Sequence, residues 1–164
     1  MLFGDDGSWS TGFVKRFPKH YDPKGIGEKS EAMIMAALLR ADKVVLQPFG
    51  DNQRYDLVVD EDGDFIRIQC KTALLSKDKN SFEFPTSSQN WNSKVRRGYE
   101  GEIDIFAVYL RETDEIFIFP INNLPARNCT VRLNASSRQK NRVRYAKDYV
   151  FEPNKSLRKY NMGS

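Results

Sequence analysis

Apolar residues at 34, 37, 38 and 41 recur at the spacing of a buried helical stripe. They predict a helix over about 27–41, rich in the good helix formers Ala, Met and Leu. Glu31 is the one acid in the otherwise apolar run 31–39. It lies three residues before Ile34 and seven before Leu38, so it shares their inward-facing side. The period then changes. Val44, Val45 and Leu46 predict a strand over 44–47, followed by a polar loop at 48–53. Leu57, Val58 and Val59 precede an acidic turn at 60–64, and Phe65, Ile66 and Ile68 follow it, the pattern of a β-hairpin. Phe82 and Phe84 mark a short strand, and the polar, basic segment 86–101 is expected to be loop or short helix. The run 103–109 reads as a strand buried on both faces, with 115–119 as its hairpin partner, a helical turn at 121–124 and a half-exposed strand at 129–133. This order predicts an α/β (α+β) layer arrangement, a mixed β-sheet with flanking helices and polar loops at one edge.

With 164 residues the chain suits one domain with a real core. Residues 1–22 are expected to be a flexible lead or tag, 23–150 the domain, and 151–164 a C-terminal tail. A net charge of +4 favours an anionic partner without proving one. No apolar run approaches a membrane span and no apolar leader opens the chain, so a cytoplasmic protein with no membrane partner is expected. Cys70 and Cys129 read as free thiols of a reducing compartment, and His20, the sole histidine, excludes a Cys/His zinc cluster. The acidic turn lacks the full ligand pattern of a calcium loop and reads as a solvated turn.

The hairpin gathers chemistry at one end. Asp56 lies near the start of its first strand, and Gln69 and Lys71 near the end of its second. In an antiparallel pair those ends are neighbours, and Gln69 and Lys71 share a face that Cys70 points away from. Phosphodiester hydrolysis needs a hard divalent cation held by oxygen ligands, and a lysine beside it to orient water. Asp56, the Gln69 side chain, the Cys70 carbonyl and Lys71 supply that set, and Glu31 completes it if the helix packs on this sheet. Two plainer readings stand beside this one. Asp56 could simply pair with Lys71 across the hairpin, and Glu31 could be a first-turn acid that complements the helix dipole.

Glu31, Asp56 and Gln69-Cys70-Lys71 resemble the PD-(D/E)XK nuclease superfamily, in which a helical Glu precedes an Asp on one strand and a (D/E)XK triplet on the next. Tyr55 stands in place of the Pro and Gln69 in place of the triplet's first acid. Segments 24–31, 54–56, 68–72 and 103–109 are similar to the cyanobacterial group I intron homing endonucleases of that superfamily, over about residues 22–150. The resemblance implies a restriction-endonuclease-like core and a site-specific double-strand DNA endonuclease. It implies Glu31, Asp56, Gln69 and Lys71 as catalytic residues. It also implies Mg²⁺, with Mn²⁺ substituting, held by Glu31, Asp56, Gln69 and Cys70, and a homo-oligomer, dimer or tetramer, on a long duplex target.

Three segments are candidates for DNA contact. Asn52, Gln53 and Arg54 lie close to the proposed site. Gln89, Asn90, Lys94, Arg96 and Arg97 come from the basic stretch. Arg138, Lys140, Arg142 and Arg144 are spaced by two, so on a strand they would share a face suited to phosphates or the major groove. Two alternatives remain at this stage: a structure-selective nuclease such as a Holliday-junction resolvase, and a non-catalytic DNA-binding protein on a decayed nuclease fold.

Overall fold

The computed structural model describes residues 22–50, 52–89, 94–134 and 143–161. Helix α1, Pro23–Arg40, begins earlier than the apolar pattern alone indicates, because Pro23 occupies its first turn, where a missing N–H costs nothing. Ser30, Ile34 and Leu38, spaced by four, form its buried stripe. The strands are β1 Val44–Leu46, β2 Leu57–Glu61, β3 Asp64–Thr72, β4 Leu74–Leu75, β5 Ser81–Pro85, β6 Ser88–Gln89, β7 Arg96–Arg97, β8 Ile105–Leu110, β9 Glu115–Pro120, β10 Asn128–Arg132 and β11 Arg144–Tyr145. A short helix α2, Arg158–Asn161, lies at the C-terminal end of the described residues.

The main sheet has the order β1-β2-β3-β8-β9, with β3 and β8 parallel and the other pairs antiparallel. A second sheet, β11-β10-β5-β4, packs against part of it. Between them lie Phe82, Phe84, Phe106, Phe117 and Phe119. On the other face Ile34 and Leu38 of α1 and Leu157 near α2 cover Leu57, Val59, Ile66, Ile68 and Ile105. All six residues of β8 are buried, as a central strand of a three-layer structure requires.

The hairpin turn is Asp62-Gly63, with φ of 56° and 90°. Two successive positive φ values make the tight turn whose twist matches the flanking strands, and Asp-Gly is the pair that tolerates it. The resulting register sets Leu57 opposite Ile68, so Asp56 falls opposite Gln69, and the Asp56 N–H continues the ladder to the Ile68 carbonyl at 2.9 Å. Arg67 holds β3 to the entry of β8 through a two-pronged pair with Asp104 at 2.9 and 3.1 Å.

Three segments differ from the simple pattern reading. Residues 88–89 and 96–97, expected as loop or short helix, pair as an antiparallel ribbon. Their strands are too short and polar to show a hydrophobic period. Residues 121–124, expected as a helical turn, form a bend and a turn, with Asn123 at a φ of 64°. The segment 151–161, expected as part of a tail, is docked: Leu157 is fully buried, and Glu61 accepts from the Ser156 hydroxyl at 2.5 Å and the Leu157 N–H at 3.0 Å.

Lys43 reaches the same carboxylate at 3.0 Å. Burial works to raise the Glu61 carboxyl, but the Ser156, Leu157 and Lys43 partners outweigh it and bring it down to about 2. The stabilisation this gives is fully present above the ordinary carboxylate range and is lost as pH falls through about 2. Glu61→Ala is therefore expected to cost about 2 kcal/mol at neutral pH, from an orphaned N–H and an unpaired lysine. Urea unfolding at several pH values checks it. The gap between variant and wild type should close toward pH 2, and a gap independent of pH would mean that Glu61 acts by packing alone.

Candidate active site

The site lies where β2 begins and β3 ends. Alternation along β3 sends Ile66, Ile68 and Cys70 into the α1-facing core and leaves Arg67, Gln69 and Lys71 on the opposite face. Asp56 Oδ2 accepts the Gln69 amide at 2.5 Å and the Cys70 N–H at 2.8 Å. The Gln69 nitrogen also lies 3.4 Å from the Cys70 carbonyl. Two oxygens, one carboxylate and one backbone, thus converge on a single polar group. Among the described residues no hydrogen bond reaches Asp56 Oδ1.

Helix α1 is pinned to this strand end by a bond between the Ser30 and Thr72 hydroxyls at 2.6 Å, and Ser30 is almost fully buried. That contact sets the next residue, Glu31, at the rim. Glu31 lies more than two turns into the helix, whose first turn holds no acid, so the dipole reading does not apply to it. Its carboxyl is pushed up by burial and by the Asp56 charge, with the Gln47 amide at 3.5 Å opposing. The Asp56 carboxyl is also pushed up, by burial, against the Cys70 N–H, the Lys71 charge and the Gln69 amide. Burial and both acids raise the Cys70 thiol far above its ordinary range, which makes it inert as a nucleophile and leaves its carbonyl as the useful atom. Lys71 makes no ion pair with Asp56 among the described residues; its ammonium donates to the Tyr99 hydroxyl at 3.0 Å.

Glu31, Asp56, Gln47, Pro48, Gly50, Gln53 and Tyr55 line a cleft of about 330 Å³. A larger groove of about 530 Å³ adjoins it on the open face of β1–β3, but Arg67, its charged group, is already bonded to Asp104. Among the described residues no three or more His, Cys, Asp or Glu side chains are grouped so as to hold a metal ion. Gln69 stands in place of the acid that opens the (D/E)XK triplet. The donor set still suits a hard cation: two carboxyls of raised proton affinity, an amide and a carbonyl.

The DNA-contact candidates separate. Asn52 is exposed, Gln53 is exposed at the cleft, and Gln89, Lys94, Arg96 and Arg97 are exposed on or beside the β6–β7 ribbon. Arg54 turns inward. It pairs with Glu102 at 2.7 Å and donates to Ser88 Oγ at 2.8 Å and the Gly98 carbonyl at 2.7 Å. Arg97 is also paired with Glu102. Arg144 is half-buried on β11 and donates to the Asn123 carbonyl. Asn90, Arg138, Lys140 and Arg142 lie outside the described residues. Sequence reasoning passed over Ser30, Gln47 and Tyr99. Ser30 alone had a local signal, a hydroxyl four residues before Ile34 on the buried stripe.

A mixed sheet clasped by one main helix, with polar groups gathered at a strand end, defines a restriction-endonuclease-like fold. Residues 21–152 match the PD-(D/E)XK endonuclease family, and the chain belongs to that family. It is a nuclease by that membership. The fold is similar to that of a bacterial homing endonuclease, I-Ssp6803I, with a TM-score of 0.65 and 22% identity over 79% of this chain and 89% of that one. No curated protein matches the chain in sequence.

Proposed function

We propose that the chain is a site-specific double-strand DNA endonuclease of the intron-homing type that hydrolyses phosphodiesters with a divalent metal. The observation that carries this reading is the convergence of Asp56, Gln69 and the Cys70 carbonyl beside Glu31, with Lys71 on the same strand face as Gln69. Asp56 and Glu31 would hold Mg²⁺, or Mn²⁺ in its place, with the Cys70 carbonyl and, once the amide turns over from its bond to Asp56, the Gln69 oxygen. Such a cation neutralises the scissile phosphate and makes water nucleophilic near neutral pH. Lys71 orients the attacking water and stabilises the charge that develops on the phosphate. The homing reading draws support from the neighbouring fold and from the resemblance carried by 24–31, 54–56, 68–72 and 103–109.

One such site cuts one strand. Cleavage of a duplex at a long target therefore calls for a homo-oligomer, dimer or tetramer, with DNA as the partner. Among the described residues no helix is long and apolar enough to cross a membrane. A cytoplasmic, DNA-associated protein fits this reading.

The test is cleavage of a supercoiled plasmid library that includes intron-insertion sequences, with Mg²⁺ or chelator, by wild type and by Asp56→Ala. Discrete linear products, lost with chelator and in the variant, are expected. Preference for four-way junctions over linear duplex would instead make the protein structure-selective, and binding without any cleavage would make it a decayed nuclease. The β6–β7 ribbon supplies a second prediction. Neutralising Lys94 and Arg96 together should flatten the dependence of log K on log salt by about 1–2, close to one unit for each phosphate no longer neutralised. An unchanged slope would place the ribbon away from DNA.

A further inference from the structure

Tyr99 is buried, 3% exposed, with its ring edge-on to Phe106 at 5.4 Å between centroids. A core aromatic needs no more than that. Yet its hydroxyl is bonded to the Lys71 ammonium at 3.0 Å, and the same ring meets two cations: Lys71 at 4.9 Å and the Arg54 guanidinium at 4.2 Å from its centroid. Arg54 lies two residues before Asp56, and its fork binds Glu102, Ser88 Oγ and the Gly98 carbonyl. Ser88 is in β6, and Gly98 stands between β7 and Tyr99. One bonded chain therefore runs from the base of the exposed basic ribbon, through Arg54 and Tyr99, to Lys71.

We propose that Tyr99 is a positioning residue for Lys71, braced by Arg54, and that it ties the setting of this lysine to the base of the β6–β7 ribbon. The inference rests on the role given to Lys71 above. A lysine ammonium is a point charge on a flexible four-carbon stem. Held by no fixed acceptor it samples many positions, and misplacement by about 1 Å costs on the order of 100-fold in rate. A buried phenol has two side-chain torsions, and here its ring is packed against Phe106 and Arg54, so it offers an acceptor that does not wander. Arg54, held in turn by Glu102, can stack on that ring without repelling Lys71 as a bare cation would.

Tyr99→Phe keeps the ring, the Phe106 contact and the Arg54 stack and removes only the hydroxyl. Two readouts apply to the full chain. The first needs no activity: labelling of Lys71 by a limiting amine acylating reagent, quantified by mass spectrometry against the other lysines. The second is single-turnover cleavage with Mg²⁺, alongside DNA affinity measured in Ca²⁺. In Tyr99→Phe, Lys71 labelling is expected to rise several-fold, and the cleavage rate to fall on the order of 10-fold with affinity unchanged. Arg54→Lys, which loses the fork, should shift labelling in the same direction. Wild-type labelling of Lys71 in Tyr99→Phe would overturn the proposal. So would loss of rate, affinity and melting temperature together, which would make Tyr99 a core residue only. If the wild type cuts no DNA, the nuclease reading fails, and the labelling result still decides whether Tyr99 holds Lys71.

Discussion

Replacing Lys71 by alanine is expected to lower single-turnover cleavage by about 1,000-fold or more while leaving DNA affinity within a few-fold of wild type. The separation follows from where the side chain lies. Lys71 is half-buried at the strand end and bonded to Tyr99, whereas Lys94, Arg96 and Arg97 are exposed on the ribbon. A charge withdrawn in this way acts mainly on what forms next to it during the reaction. The cost to stability should be small, about 1 kcal/mol, because one hydrogen bond is removed and the Tyr99 hydroxyl keeps the option of water. Cleavage and affinity measured on the same duplex decide the matter. Normal turnover would remove Lys71 from the mechanism. A parallel fall in affinity would make it a phosphate contact.

The parts of the fold that the sequence shows are those where local pattern and tertiary role agree. Asp62-Gly63 between two apolar runs defines the hairpin, and the register then places Asp56 opposite Gln69 with no further information. The apolar run at 103–109 reads as a doubly covered strand, and β8, Ile105–Leu110, is one. What stayed hidden depends on partners far along the chain. Glu61 belongs to a turn that reads as solvated, yet it anchors residues 156 and 157 from almost a hundred positions away. The second sheet brings β5 onto β10, with Phe84 opposite Cys129, and neither strand names the other locally. Tyr99 lies in a basic stretch with no periodicity, and its contacts with Arg54 and Lys71 come entirely from the way β3 and the ribbon meet. The same limit applies to Arg54. Its charge and its nearness to Asp56 suggest a nucleic-acid contact, and only the fold shows the guanidinium bonded to Glu102, Ser88 and Gly98.

Asp56→Asn should abolish metal-dependent cleavage, by 100-fold or more, and at the same time leave the metal-free protein as stable as wild type or more so. The second half follows from the proton affinity of the site. Burial raises the Asp56 carboxyl above its ordinary value of 3.8 despite the Cys70 N–H, Lys71 and Gln69, and burial with the Asp56 charge raises Glu31. An acid that holds its proton more tightly in the folded state makes folding less favourable as pH rises from the ordinary value toward the raised one. The penalty is absent below 3.8, grows as pH rises through the folded value, and is complete at neutral pH. Asparagine accepts the Cys70 N–H through its oxygen and removes the charge, so it relieves the penalty without opening a cavity. In the wild type a bound divalent cation would offset the same penalty, by about 1.4 kcal/mol at ten times its dissociation constant. Thermal melts with and without Mg²⁺, at pH 7 and near pH 4, test both halves. The upward shift with Mg²⁺ should vanish in the variant, and any excess stability of the metal-free variant should shrink toward pH 4. A variant that melts lower than wild type without metal, yet keeps the full Mg²⁺ shift, would make Asp56 a structural tie between β2 and β3 and move the metal elsewhere.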